Sequence, residues 1–149
     1  MKEKINELFI SAIKEQNIVE VVRMAKMQAD IHQNNHQPIK LACEIGNVEI
    51  VKVLINKGVH LHFNNEEPLR IANNFQYFEI FKLLLETGAN PFVLEHEVLR
   101  VSIDNKNYSH ILLLLEHGYD FDLLNYYADI SLMRDIKCLL SQDKKNKNI

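Results

Sequence analysis

Pro38-Ile39-Lys40-Leu41-Ala42-Cys43-Glu44-Ile45-Gly46-Asn47-Val48-Glu49-Ile50-Val51-Lys52-Val53-Leu54-Ile55-Asn56-Lys57-Gly58 reads as a helix, a turn, a second helix and a stop. Proline suits the first turn of a helix, where its missing N–H would have no partner anyway. Ile39, Leu41, Ala42 and Ile45 follow at helical spacing, and Gly46-Asn47 ends the helix with residues that tolerate left-handed backbone. Val48, Val51, Leu54 and Ile55 line one face of the second helix, with Glu49, Lys52 and Asn56 outside. Gly58 stops it. Helices this short are not stable alone, because isolated helices below about a dozen residues are marginal in water. Their partners must come from elsewhere in the chain.

Repetition supplies them. Gly58, Gly88 and Gly118 stand thirty residues apart, and the same interval separates Pro38 from Pro68, Glu49 from Glu79 and Lys52 from Lys82. Lys40, Arg70 and Arg100 keep it too. A fixed period of this length is the mark of stacked supersecondary units. Pro68 to Gly88 repeats the plan with Leu69, Ile71 and Ala72, then Phe78, Phe81, Leu84 and Leu85. Ala42 and Ala72 fall where successive first helices meet, and a small side chain there permits close approach. The next unit drifts: Val98 replaces proline, Ser102 replaces alanine, Lys106 stands where Gly46 stood, and His110 takes the inward position of Ile50 and Ile80.

The ends are less regular. Ile5, Leu8, Phe9, Ala12 and Ile13 form a first helix, and Val19-Glu20-Val21-Val22 echoes the start of the second helices, with Gln28 in place of the glycine. The outer face (Lys2, Glu3, Glu7, Lys14, Glu15) is polar, as a terminal cap of a stack needs. After Gly118 a compressed unit follows, with helices expected at Leu123–Ala128 and Leu132–Leu140. The expectation is an all-α helix–turn–helix solenoid of about five repeats. It forms one domain over 1–142, in approximate units 1–31, 32–61, 62–91, 92–121 and 122–142, and 143–149 is expected to be a disordered basic tail.

The composition restricts function. At 149 residues, 47% hydrophobic and 25% charged, the chain has the make-up of one ordinary soluble domain. Its net charge of -3 gives no basic face for nucleic acid. No apolar run approaches the roughly 20 residues of a membrane span, and the acidic residues near Met1 do not suit a signal peptide. Cys43 and Cys138, each in an apolar helical pattern, read as reduced core thiols. An intracellular, cytoplasmic protein is expected.

These residues resemble a known family. The stretch from Pro38 to Gly58 is similar to an ankyrin repeat, whose pattern is T-P-L-H-x-A-A followed by G-H-x-E-I-V-x-x-L-L-x-x-G-A. The resemblance covers roughly 5–140 and recurs in phase. It implies a non-catalytic module that recognises a protein partner through its concave helix and loop face. Two departures stand out. Lys40, Arg70 and Arg100 replace the histidine of T-P-L-H, and the period is three residues short. The missing residues fall where the family forms a β-hairpin finger, so shortened loops are expected instead. The short repeats, the basic residues and the Asn34-Asn35 and Asn64-Asn65 loops resemble ankyrin proteins encoded by giant DNA viruses, which implies the host cytoplasm.

Little in the sequence suggests chemistry. His60 and His62, with His32 and His36 one period upstream, are metal-ligand types, but no cysteine or carboxylate cluster joins them, so no metal or cofactor is expected. No glycine-rich phosphate loop, G-x-S-x-G or H-E-x-x-H occurs. Cys43 in an apolar setting would be an inert thiol. The chain reads as no enzyme. Candidate partner-binding residues are the first-helix ends Glu44, Ile45, Asn74, Phe75, Asp104 and Asn105, together with Phe63, Tyr126 and Tyr127. Aromatics dominate binding hot spots, although the favoured reading of the loop aromatics Phe63 and Phe92 is that they fold back over a neighbouring repeat. The basic ladder of Lys40, Arg70 and Arg100 pairs with loop carboxylates (Glu66, Glu67, Glu95, Glu97) if buried, or with an acidic peptide if exposed. Tyr126, Tyr127, Leu132 and Met133 have little polar cover, so self-association through the C-terminal end is the alternative; the oligomeric expectation is a monomer or weak self-association.

Overall fold

The computed structural model describes the backbone of residues 2–146 and the side chains of residues 2–142. Ten helices and no strand occur among the described residues. The chain divides into two compact units, Met1–Asn90 and Pro91–Ile149, where one domain was expected. A stack whose repeats touch only their neighbours can be partitioned between repeats in this way.

The first unit holds three helix pairs. They are α1 (Lys2–Lys14) with α2 (Ile18–Lys26), α3 (Gln33–Ile45) with α4 (Val48–Asn56), and α5 (Glu67–Asn74) with α6 (Phe78–Glu86). First helices pack on first helices, α1 on α3 and α3 on α5, while α2, α4 and α6 form a second layer. Between the layers lie Phe9, Ile13, Ile39, Ile50, Leu54, Leu69, Ile80, Phe81 and Leu84, all fully buried. Ala42 and Ala72 are buried at the close approach of first helices, as their recurrence predicts.

The second unit contains α7 (Glu97–Asp104), α8 (Tyr108–Glu116), α9 (Phe121–Tyr127) and α10 (Ile130–Asn146), with α7 packed on α8 and α9. Leu99, Ile111, Leu114, Leu124 and Ile136 form its core. Two expectations need correction here. Helix α10 continues to Asn146 because no glycine or proline interrupts it after Ile130, so the tail expected to be disordered from 143 is helical for four more residues; residues 147–149 lie outside the described residues. Cys138 is exposed, not a core thiol, because Leu132, Met133 and Ile136 occupy the inward face of α10.

The loops hold the least expected feature. Three consecutive residues at positive φ lead into each of three first helices: Asn34, Asn35 and His36 within the opening of α3, at a kink before its right-handed part, then Asn64, Asn65 and Glu66 before α5, and Leu94, Glu95 and His96 before α7. Each set is one turn of left-handed helix, and it occupies the place of the missing finger. The first is closed by His36 N–H donating to the His32 carbonyl at 3.2 Å, and the second by Glu67 N–H donating to the Phe63 carbonyl at 3.0 Å. Side chains at four-residue spacing add a clip in the first two loops: His32 to His36 at 3.3 Å and His62 to Glu66 at 2.8 Å.

Candidate partner-binding site

The C-terminal ends of α3 and α5 lie side by side because α3 packs on α5. Glu44 and Asn74 are exposed and Ile45 is half-buried; Phe75, the residue capping α5, is 53% exposed. Its ring stacks on Tyr77, centroids 5.8 Å apart and planes 8° from parallel. Tyr77 stands at the N-cap of α6, a position held by Asn17, Asn47 and Asn107 in the other repeats. Those asparagines accept a backbone N–H three residues on, from Glu20, Ile50 and His110 respectively. Tyr77 makes no such cap bond. Its ring lies over Gly46 instead, where an added Cβ would come within 2.6 Å of Cζ. The matched positions are Gln16, Gln76 and Lys106, each at positive φ without being glycine. Gly46 is therefore glycine for a second reason: a tyrosine ring occupies the space of its side chain.

The loop aromatics fold back. Phe63 is half-buried and stacks on His36, centroids 4.2 Å apart and planes at 17°. In the second unit Phe92 stacks on Tyr119 at 4.5 Å, and the Tyr119 hydroxyl donates to the Pro91 carbonyl at 2.7 Å. Two rungs of the basic ladder reach toward the loops. Lys40 Nζ stands 3.9 Å from Glu67 Oε2, at the outer limit of an ion pair, and an Arg70 guanidinium N–H donates to the Asn64 carbonyl at 3.4 Å. Arg100 is exposed.

In the second unit, Asp104 and Asn105 are exposed at the end of α7. Tyr126 is 81% exposed and meets Tyr127 edge to face at 5.0 Å, with Ile130 (91% exposed) three residues beyond Tyr127. Of the sequence-derived candidates, Glu44, Ile45, Asn74 and Phe75 share one edge of the first unit. Phe63 belongs to a loop of that unit and Tyr126 and Tyr127 form a separate pair. Tyr77 was missed; its signal was the break in the asparagine cap register.

A family model described as ankyrin repeats (3 copies) matches residues 8–95. The chain belongs to the ankyrin-repeat family. Ankyrin repeats are in general protein–protein interaction modules and non-catalytic. No curated protein matches this chain. Its ankyrin frame is all-helical among the described residues, with left-handed turns where the family's fingers would be. No helix among the described residues is long and apolar enough to cross a membrane.

The ankyrin core also explains its titratable groups. Burial pushes the Cys43 thiol up to about 12, so the thiolate that a nucleophile needs is scarce at neutral pH. Burial likewise lowers His110 to about 4, leaving a neutral imidazole in the core. His36 is also lowered, first by burial and then by His32, His60 and Lys40.

Proposed function

We propose that this ankyrin-repeat chain binds a protein partner through the first-helix ends and loops of its first unit. Phe75 is the anchor, with Glu44, Ile45 and Asn74 on the same edge and Phe63 in the loop that precedes α5. The observation that carries this reading is the exposed Phe75–Tyr77 stack over Gly46. There the repeat gives up an asparagine cap, worth about 1 kcal/mol in typical helices, and leaves a large aromatic in solvent. Aromatics held in this way are typical of binding hot spots. In this reading the chain works in a reducing, intracellular compartment and binds a protein, not a nucleic acid or a membrane.

Affinity capture from cells, with wild-type protein and with Phe75→Ala/Asn74→Ala as bait, tests the reading. The expected result is a partner, identified by mass spectrometry and then purified, whose affinity for the double variant drops by about 30-fold or more, as a hot-spot loss of about 2 kcal/mol implies. The circular dichroism and melting temperature of the variant should match wild type. Unchanged affinity, or a collapse of the fold, overturns it.

The exposure of Tyr126 and Ile130 favours a second reading, in which the C-terminal helices pair two copies of the chain. Light scattering that shows a dimer for wild type and a monomer for Ile130→Lys supports it; a monomer at the highest soluble concentration rejects it.

A further inference from the structure

The loop from Asp30 to His36 carries an arrangement that partner binding does not use. His32 Nδ1 and His36 Nδ1 face each other at 3.3 Å, with the ring planes 86° apart. At that gap one ring can donate a long hydrogen bond to the other. The gap also fits another geometry. Two nitrogens, each about 2.05 Å from a tetrahedral Zn²⁺, are about 3.3 Å apart.

We propose that His32 and His36 form a chelating pair for a divalent transition-metal ion of the Zn²⁺ class. The left-handed turn supplies the preorganisation. Its residues Asn34, Asn35 and His36 bring position 36 back over position 32, and the bond from His36 N–H to the His32 carbonyl closes it. Phe63, stacked on His36, holds that ring in place. Asp30 accepts the His32 backbone N–H at 2.9 Å, which sets a carboxylate beside the site; Lys40 is the nearby cation opposing it. No three ligating side chains converge on one point among the described residues. Coordination is therefore two protein nitrogens completed by water. The matched pair in the next loop, His62 and Glu66, is closed by a 2.8 Å bond and serves as the internal control.

The test is calorimetric titration of untagged full-length protein with zinc chloride at neutral pH. One ion should bind per chain in the micromolar range. His32→Asn and His36→Asn should each weaken binding by about tenfold or more, since loss of even a residue that only supports a metal ligand costs that much. Asparagine is chosen because it tolerates the left-handed backbone at position 36. Both variants should melt like wild type without metal, and zinc should raise the melting temperature of wild type alone. Electron paramagnetic resonance of the Cu²⁺ form should show nitrogen ligands that His32→Asn reduces in number. Absence of binding, binding untouched by both substitutions, or an equal loss in His62→Asn would each overturn the proposal.

Discussion

Gly46 and Gly58 hold nearly the same backbone angle, φ +80° and +79°, and differ in their surroundings: the Tyr77 ring lies on Gly46, and no neighbouring side chain lies within 4 Å of where a Cβ on Gly58 would stand. The pair separates two costs that are usually confounded. Gly58→Ala should lose about 1–2 kcal/mol from left-handed backbone alone. Gly46→Ala should lose measurably more, because its Cβ also displaces Tyr77 and with it the Phe75 stack. Urea melts of both variants decide this, and equal losses would mean that the ring moves aside freely. His110 makes the other residue-scale prediction. Its folded pKa is depressed, from 6.5 to about 4, so the unfolded chain takes up the proton first as pH falls. Stability is fully present above 6.5 and declines toward 4, by a total on the order of 3 kcal/mol. His110→Ile, which restores the residue of Ile50 and Ile80, should flatten that slope when urea midpoints are compared at about pH 7.5 and pH 5. A slope unchanged in the variant would assign the acid sensitivity elsewhere, with the lowered His36 next in line.

Among the elements, the left-handed turns carry the clearest local conflict between sequence and backbone. Asn34 and Asn64 open the first two turns, and asparagine bears that conformation at reduced cost. Leu94 opens the third at φ +49° while 43% exposed, so it has the conformational cost and little burial to offset it. Leu94→Asn should therefore raise stability by about 0.5–1 kcal/mol, readable as a higher melting temperature. A lower one would show that Leu94 contributes more through packing than its exposure suggests. The same elements show what was legible beforehand. Pro38, Gly46, Gly58 and the apolar triplets located the helices closely, since caps and periodicity are local signals. The Asn-Asn pairs marked the loops but not their handedness, because asparagine is equally at home in ordinary turns. Phe75 was readable as exposed from its place after the first helix. Tyr77 left only a negative signal, the break in the asparagine cap register, and its contact with Gly46 joins two repeats, which no local pattern encodes. Cys138 was misplaced for a related reason: the irregular last unit offers no matched position to fix which face of α10 turns inward.

At the scale of the whole molecule, two compact units built from neighbour contacts should respond to damage unequally. Leu54 and Leu114 are both fully buried, one in each unit, and truncating either to alanine should cost about 2–5 kcal/mol. Hydrogen exchange should show Leu54→Ala loosening α3 to α6 more than α7 to α10, and Leu114→Ala doing the reverse. Uniform loosening in both variants would mean that the chain unfolds as one cooperative body. The three loop turns have a broader consequence. Each is a short mirror-image segment written in L-amino acids, and it is the D-enantiomer that favours that hand. A chain assembled by chemical ligation, with D-asparagine at 34, 64 and 94, should keep the L-protein's fold and melt at a higher temperature. The same D-residue placed inside α4 or α8 would break the helix.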